Sequence, residues 1–203
     1  MKKVLFIFTL LILLQVQCFA TDRYRVGAGG NNWDAAQWST TSGGAASGSE
    51  PALTDPVFFD GNTGATDTVV TNGASRCDSR SLNFTGYTGS ISGSTRMRIG
   101  DATAGNITFP ASGMTSTWTG NMELYSSTGT NVLTFNSFDP NPGSSIIMYV
   151  AGATYQLGSA FVHAGNFASG AANTIDTNGY TVTVDGFNMD SGATTVLLGA
   201  SVI

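Results

Sequence analysis

Lysine is missing from this 203-residue sequence after Lys3, and histidine occurs once, at His163. Cysteine occurs twice, proline five times, and charged residues make up only 10% of the chain. So few histidines and cysteines argue against a zinc site, which needs three or four such ligands or carboxylates. No window shows apolar residues at helical spacing, which argues against a helical bundle or a doubly wound α/β enzyme.

The N-terminus has the organisation of a secretory signal peptide. Two lysines precede an apolar run from Val4 to Leu14, and Ala20 is a small residue at a suitable cleavage position. The run is shorter than the ~20 residues that span a bilayer, and no later stretch is long and apolar enough. We therefore predict a signal peptide over residues 1–20, a secreted or cell-surface protein, and no membrane span after cleavage.

Cleavage would leave a strongly acidic chain. Both lysines would be lost, so that six arginines face thirteen acidic residues, a formal net charge of −7. This balance argues against nucleic acid as a partner, because nucleic-acid binding needs a basic face. Cys77 would be the remaining cysteine, which excludes an internal disulfide, and the length suits one domain.

Short alternating runs separated by Gly, Asn, Ser and Thr predict an all-β fold. The runs that end at Phe84, Phe109 and Phe135 are 25 and 26 residues apart. This period is typical of one coil of a β-solenoid, in which each coil buries its apolar face against its neighbours. We predict a right-handed parallel β-helix with an N-terminal cap. A β-sandwich is the alternative, because the turns also suit hairpins.

The solenoid hypothesis assigns an inward side to each strand. Thr, Ser and Asn would face water. The side chains expected in inward ladders are Leu82, Phe84, Ile99, Ile107, Phe109, Leu124, Leu133, Phe135, Ile147, Leu157, Val182, Val184 and Leu197.

Few residues suggest catalysis. His163 lies in a strand pattern with no nucleophile elbow nearby, which favours a packed or surface histidine. The clustered acids adjoin turn residues, where Asp usually caps the backbone, although a glycosidase pair would also need two acids. Those acids are Asp55, Asp60 and Asp67, and Asp176, Asp185 and Asp190. We predict no catalytic residue, cofactor or metal site; the loop and repeat motifs of calcium sites are missing.

The aromatic residues make sugar binding an alternative prediction. Trp33 and Trp38 are candidate glycan contacts, but in the glycine-rich N-terminal region they also suit a plug over the first coil, which we favour. Trp118, Tyr87 and Tyr125 have the same capacity to stack on sugars. Arg96 and Arg98 alternate on one face and predict a solvated surface patch.

Residues 38–44 (WSTTSGG), Pro51 and residues 55–60 (DPVFFD) resemble the N-terminal motif of repetitive exported bacterial and phage-encoded proteins. Residues 81–89 (SLNFTGYTG) and 176–184 (DTNGYTVTV) look like their coils. The chain is similar to β-helical stalks of autotransporter-type adhesins and phage fibres. Arg25, where an aromatic residue is commoner, and the irregular segment 139–142 depart from this pattern.

The resulting predictions are a signal peptide at 1–20, a cap at 21–75, and solenoid coils at 76–203. The sequence ends just after an apolar strand, so we expect an open last coil, covered by further chain or a capping partner. The predicted function is a non-enzymatic extracellular structural or adhesive module, with surface glycans or surface proteins as partners. The alternative is a polysaccharide-binding or polysaccharide-degrading protein, acting as a glycoside hydrolase or lyase.

Overall fold

A computed structural model describes residues 20–27, 32–34, 37–46, 48–62, 68–71, 76–103, 105–189 and 194–200. The predicted signal peptide, apart from Ala20, lies outside these ranges. Every regular element within them is a β-strand. The strands are β1 (Arg23–Arg25), β2 (Trp38–Ser39), β3 (Pro56–Phe58), β4 (Thr68–Val70), β5 (Cys77–Ser79), β6 (Ser81–Asn83), β7 (Ser90–Gly93), β8 (Met97–Ile99), β9 (Ile107–Thr108), β10 (Thr115–Trp118), β11 (Met122–Leu124), β12 (Thr130–Thr134), β13 (Ser145–Met148), β14 (Thr154–Leu157), β15 (Phe161–Ser169), β16 (Thr174–Asp176), β17 (Val182–Asn188) and β18 (Thr195–Leu197).

The strands form three sheets that share one direction of stacking. One sheet has the order β18-β16-β14-β12-β9-β6-β3-β1-β2, the second β10-β7-β4, and the third β17-β15-β13-β11-β8-β5. Paired strands are parallel except β1 and β2. The chain is therefore a parallel β-solenoid, as predicted, and the β-sandwich alternative is wrong.

Equivalent residues of successive coils stack in register inside the solenoid. In the nine-stranded sheet, Val57 aligns with Leu82, Ile107, Leu133 and Leu157 in turn. Each of these side chains is at most 2% exposed. Beside them runs a stack of buried rings whose neighbouring centroids are 4.4–5.8 Å apart; its members are Phe59, Phe84, Phe109, Phe135 and Phe161. These ladders supply the apolar burial that no single coil could provide.

Most of the predicted inward positions are buried, and two are wrong. In β13 the buried residues are Ile146 and Met148, so the intervening Ile147 points to the outer side. Leu197 is 49% exposed, while its neighbour Val196 packs on the core. Both errors have the same cause. Side chains alternate between the two faces of a sheet, so an assignment that is off by one residue places every side chain of the strand on the wrong face. Val184 is only partly buried against the core.

The coils shorten along the solenoid. Leu82, Ile107 and Leu133 are 25 and 26 residues apart, whereas Gln156 and its register partner Asp176 are 20 apart. The three-stranded sheet ends at β10, and residues 139–142 continue the stack beyond it, because Ser116 Oγ donates to the carbonyl of Pro140. The segment that looked like an irregular insertion thus hydrogen-bonds to the preceding coil, through Pro140 and Asn141.

Parallel stacking begins before the predicted boundary at residue 76. β3 already pairs in parallel with β6, and β4 with β7, so these strands belong to the first coil. The β1–β2 pair and Trp33 lie over this coil: β1 pairs in parallel with β3, and the Trp33 ring is 6.1 Å from that of Phe59.

Candidate functional site

Trp33 and Trp38 form the plug at the N-terminal end of the ring stack. They are 1% and 0% exposed, with their centroids 5.1 Å apart. Trp38 lies 5.8 Å from Phe59, and its indole N–H donates to the carbonyl of Trp33 at 2.8 Å. Neither ring presents a face to solvent, which disfavours direct contact of these two residues with a glycan.

Arg25 completes the plug in place of an aromatic residue. It is fully buried, with its guanidinium carbon 5.6 Å from the centroid of the Trp38 ring. Its Nη1 donates to the carbonyl of Asn32 at 3.5 Å. A planar guanidinium stacks on an indole much as a ring does, so the departure at Arg25 is compatible with a filled cap.

Three of the candidate carboxylates within the described ranges accept hydrogen bonds from groups of the chain itself. Asp55 is buried and accepts hydrogen bonds from Thr21 N, Ala52 N and Arg23 Nε at 3.0–3.2 Å, which fastens the N-terminal strand. Asp60 and Asp176 each accept from a backbone N–H two residues later, as turn-capping aspartates do. Asp185 is exposed, and Asp67 and Asp190 lie outside the described residues.

His163 is a packed histidine with a defined partner. Its side chain is inaccessible, its ring is 5.8 Å from Phe161, and its Nδ1 lies 2.9 Å from Asp139 Oδ1. Asp139 also accepts from Ala164 N at 2.8 Å. Its partial burial alone would raise the pKa of Asp139, but the hydrogen bonds from His163 and Ala164 outweigh it and lower that pKa. The pair connects residues 139–142 to β15.

The other aromatic candidates divide between interior and surface. Tyr87 and Trp118 are at most 1% exposed, and their polar tips donate to the carbonyls of Ser90 and Thr95 at 3.0 and 2.8 Å. Tyr125 is different, because it lies half-buried on the outer side of the six-stranded sheet. That outer side carries three arginine–carboxylate pairs, and we call it the outer face.

Ion pairs occupy the first coils of the outer face. Arg98 binds Asp78 with two hydrogen bonds, Nε to Oδ1 at 3.1 Å and Nη2 to Oδ2 at 2.8 Å. Arg76 Nε donates to the same carboxylate at 2.8 Å, and Arg96 Nη1 lies 3.2 Å from Glu123 Oε1. The predicted arginine patch is therefore neutralised by acids on neighbouring coils. Bidentate pairing also fixes the plane of the Arg98 guanidinium.

Two tyrosines stack on Arg98 along the direction of the coils. The guanidinium carbon of Arg98 lies 5.0 Å from the centroid of the Tyr125 ring. Tyr149 follows at 5.3 Å with an interplanar angle of 10°, and it is 45% exposed. Sequence analysis missed Tyr149. A usable signal was its separation from Tyr125, which is 24 residues, or one coil.

Within the described chain, no three His, Cys, Asp or Glu side chains are placed to hold a metal ion, and no helix is long and apolar enough to cross a membrane. Comparison with protein-family models, with curated proteins and with solved structures found no match.

Proposed function

We propose that this chain is a non-enzymatic extracellular module that acts as a rigid structural or adhesive element. The single observation that carries the proposal is the continuous in-register interior, in which ladders of apolar side chains and a stack of rings run through successive coils. Such an interior resists bending, because each coil is hydrogen-bonded and packed against the next.

The roles of the polar side chains support the same proposal. Asp55, Asp60, Asp139 and Asp176 are used to bind backbone N–H groups, arginine or histidine of the chain itself. On the outer face, Arg98 and Arg96 are likewise paired with Asp78 and Glu123 of the chain itself. Extracellular location rests on the sequence pattern of residues 1–20, and the resemblance to adhesin and fibre stalks agrees with it.

Surface display in the encoding organism tests this proposal. An epitope inserted at Gly179, where an added Cβ meets nothing within 4 Å, should be labelled by antibody on intact cells. Mass spectrometry should find an N-terminus at Thr21. In parallel, incubation of a panel of polysaccharides with the purified chain from Thr21 onward should release no reducing ends. Turnover, or an epitope reached only after lysis, would contradict the proposal.

A further inference from the structure

Three hydrogen-bond donors lie side by side on the outer face. The parallel registers of β5 with β8 and of β8 with β11 place Arg76, Arg96 and Asn121, the residues just before these strands, next to one another on successive coils. All three residues are exposed. Adjacent strands are about 4.8 Å apart, so the three side chains form a continuous line, which we call the donor row.

The donor row keeps hydrogen-bonding capacity that the rest of the described chain does not use. Arg76 donates from Nε to Asp78 Oδ2 at 2.8 Å. Arg96 donates from Nη1 to Glu123 Oε1 at 3.2 Å. A guanidinium has five N–H donors, so each arginine retains several. Asn121 Oδ1 accepts from the first backbone N–H of β13 at 3.2 Å, and its amide N–H groups have no acceptor among the described residues.

The acids on this part of the outer face lie deeper than the arginines. The side chains of Arg76 and Arg96 are 42% and 48% exposed, whereas those of the acids that they bind are 16% and 3% exposed. Arg96 and Arg98 are balanced in number by Asp78 and Glu123, and Arg76 adds a third guanidinium that shares Asp78. The charge that solvent reaches at the donor row is therefore positive.

A positive surface of this kind stands out in an acidic chain. The formal net charge is −5, and every lysine or arginine after Arg25 falls within residues 76–98. The sequence after Arg98 contains acidic residues but no lysine or arginine. An anionic ligand is therefore attracted to the donor row and repelled by the coils that follow it.

The size and chemistry of the donor row limit the kinds of anionic partner. Its members are polar, whereas a protein interface usually depends on buried aromatic or apolar anchors. Double-stranded DNA carries one charge per about 1.7 Å, so most of its phosphates would face coils without a cation. A polysaccharide with one acidic group per sugar has a lower charge density, and its hydroxyl and acid oxygens accept from guanidinium and amide N–H groups.

We infer that the donor row binds an acidic polysaccharide. Arg76 and Arg96 pair with its carboxylate or sulfate groups, and the Asn121 amide donates to a neighbouring sugar oxygen. The chain of sugars lies along the coil axis, in the direction of the row. This inference rests on the proposed function and deepens it, because it assigns the adhesive contact to three residues and gives the class of glycan.

Biolayer interferometry with the chain from Thr21 onward and immobilised polysaccharides tests the inference. Polygalacturonate carries carboxylates, dextran sulfate carries sulfates, and dextran is the neutral control. The wild-type chain should bind at least one acidic polymer and should not bind dextran; the tighter of the two acidic polymers identifies the acidic group. Binding should weaken as NaCl rises from about 0.05 to 0.5 M, because exposed charges are screened.

Substitutions of the two arginines should weaken this binding. R76Q leaves Asp78 paired with Arg98, and R96Q keeps an amide donor for Glu123, so both variants should fold, which thermal unfolding checks. Each should bind the acidic polymer about threefold more weakly or worse, and the double variant about tenfold more weakly.

Two further variants separate local contacts from overall charge. N121D keeps the oxygen that accepts from β13 but replaces the amide donor by an acid, so it should weaken binding about threefold or more. R80Q removes an equal charge just after β5, outside the donor row, and should change binding by less than about twofold. Equal losses in R80Q and R96Q would show attraction by net charge alone and would overturn the inference.

Binding to neither acidic polysaccharide, or equal binding to dextran, would also overturn it. Equally tight binding of poly-glutamate or of double-stranded DNA would do the same, because the partner would then be an acidic polypeptide or a nucleic acid. These results are distinguishable from failure of the proposed function. A chain that is displayed on intact cells and has no turnover, yet binds no acidic polysaccharide, remains a structural element without this site.

Discussion

Phe109 shows how one residue depends on the coils on both sides of it. Its ring lies 5.0 Å from Phe84 and 5.8 Å from Phe135, and it is 1% exposed. A truncation here removes contacts with two coils at once. The stacked ring should therefore be far more sensitive to substitution than an aromatic residue on the surface.

F109A should lower the free energy of unfolding by about 3–5 kcal/mol, because it opens a cavity in the middle of the ring stack. Y180A, which removes an exposed ring, should change it by less than about 0.5 kcal/mol. Urea unfolding followed by far-UV circular dichroism measures both. Equal effects of the two variants would mean that the ring stack is not the core.

Asp139 makes stability sensitive to acid. Its hydrogen bonds from His163 and Ala164 lower its pKa in the folded chain below the usual value of about 3.9. A carboxyl group with a lowered folded pKa contributes stability that is present above its unfolded pKa and lost as pH falls through the folded one. The contribution should therefore be complete at pH 7, begin to fall near the unfolded pKa of about 3.9, and disappear only as pH drops below the lower pKa of the folded state.

The D139N substitution should weaken the dependence of stability on pH. The urea midpoint of the wild-type chain should fall between about pH 5 and pH 2, and D139N should start from a lower midpoint at pH 7 and lose less over the same interval. D185N, which alters an exposed aspartate, should follow the wild-type curve. If D139N and wild-type midpoints fall in parallel, the Asp139–His163 pair has no part in acid sensitivity.

At the scale of the strand and the turn, glycines differ in how closely the neighbouring coil approaches them. Gly100 and Gly179 both have positive φ, +103° and +79°. A Cβ on Gly100 would lie 2.7 Å from Ser126 N on the next coil, whereas one on Gly179 meets nothing within 4 Å. The two positions thus separate backbone strain from crowding between coils.

G179A should cost about 1 kcal/mol, the strain of a left-handed conformation. G100A should cost at least about 2 kcal/mol, because overpacking against the neighbouring coil adds about 1–3 kcal/mol to the same strain. Chemical denaturation of the two variants measures the difference. A smaller effect at Gly100 than at Gly179 would contradict the close contact between these coils.

The individual strands also show where sequence patterns lose their information. Ile146 and Ile147 are adjacent and chemically identical, so nothing in the sequence of β13 distinguishes the inward one. The structure distinguishes them through the register with β11, where Met122 and Leu124 are buried. Residues 139–142 were unpredictable for a similar reason, since their bonding partners lie on strands distant in sequence.

For the whole molecule, the spacing of Phe84, Phe109 and Phe135 was sufficient to predict a solenoid, because an inward aromatic must recur once per coil. The plug of Trp33 and Trp38 was predictable from the need to cover the first coil. The exposure of Tyr149 was not predicted, because it depends on which residue of the next coil stands beside the ring. That residue is a glycine, and glycines are common throughout this chain.

The most direct test of the parallel stack is an aromatic NOESY spectrum of the chain from Thr21 onward, with labelled phenylalanine. Parallel in-register coils predict cross-peaks between Phe59 and Phe84, Phe84 and Phe109, and Phe109 and Phe135, each pair about one coil apart in sequence. Missing Phe84–Phe109 contacts, together with Hα–Hα contacts typical of antiparallel strands across these segments, would contradict the stacked solenoid.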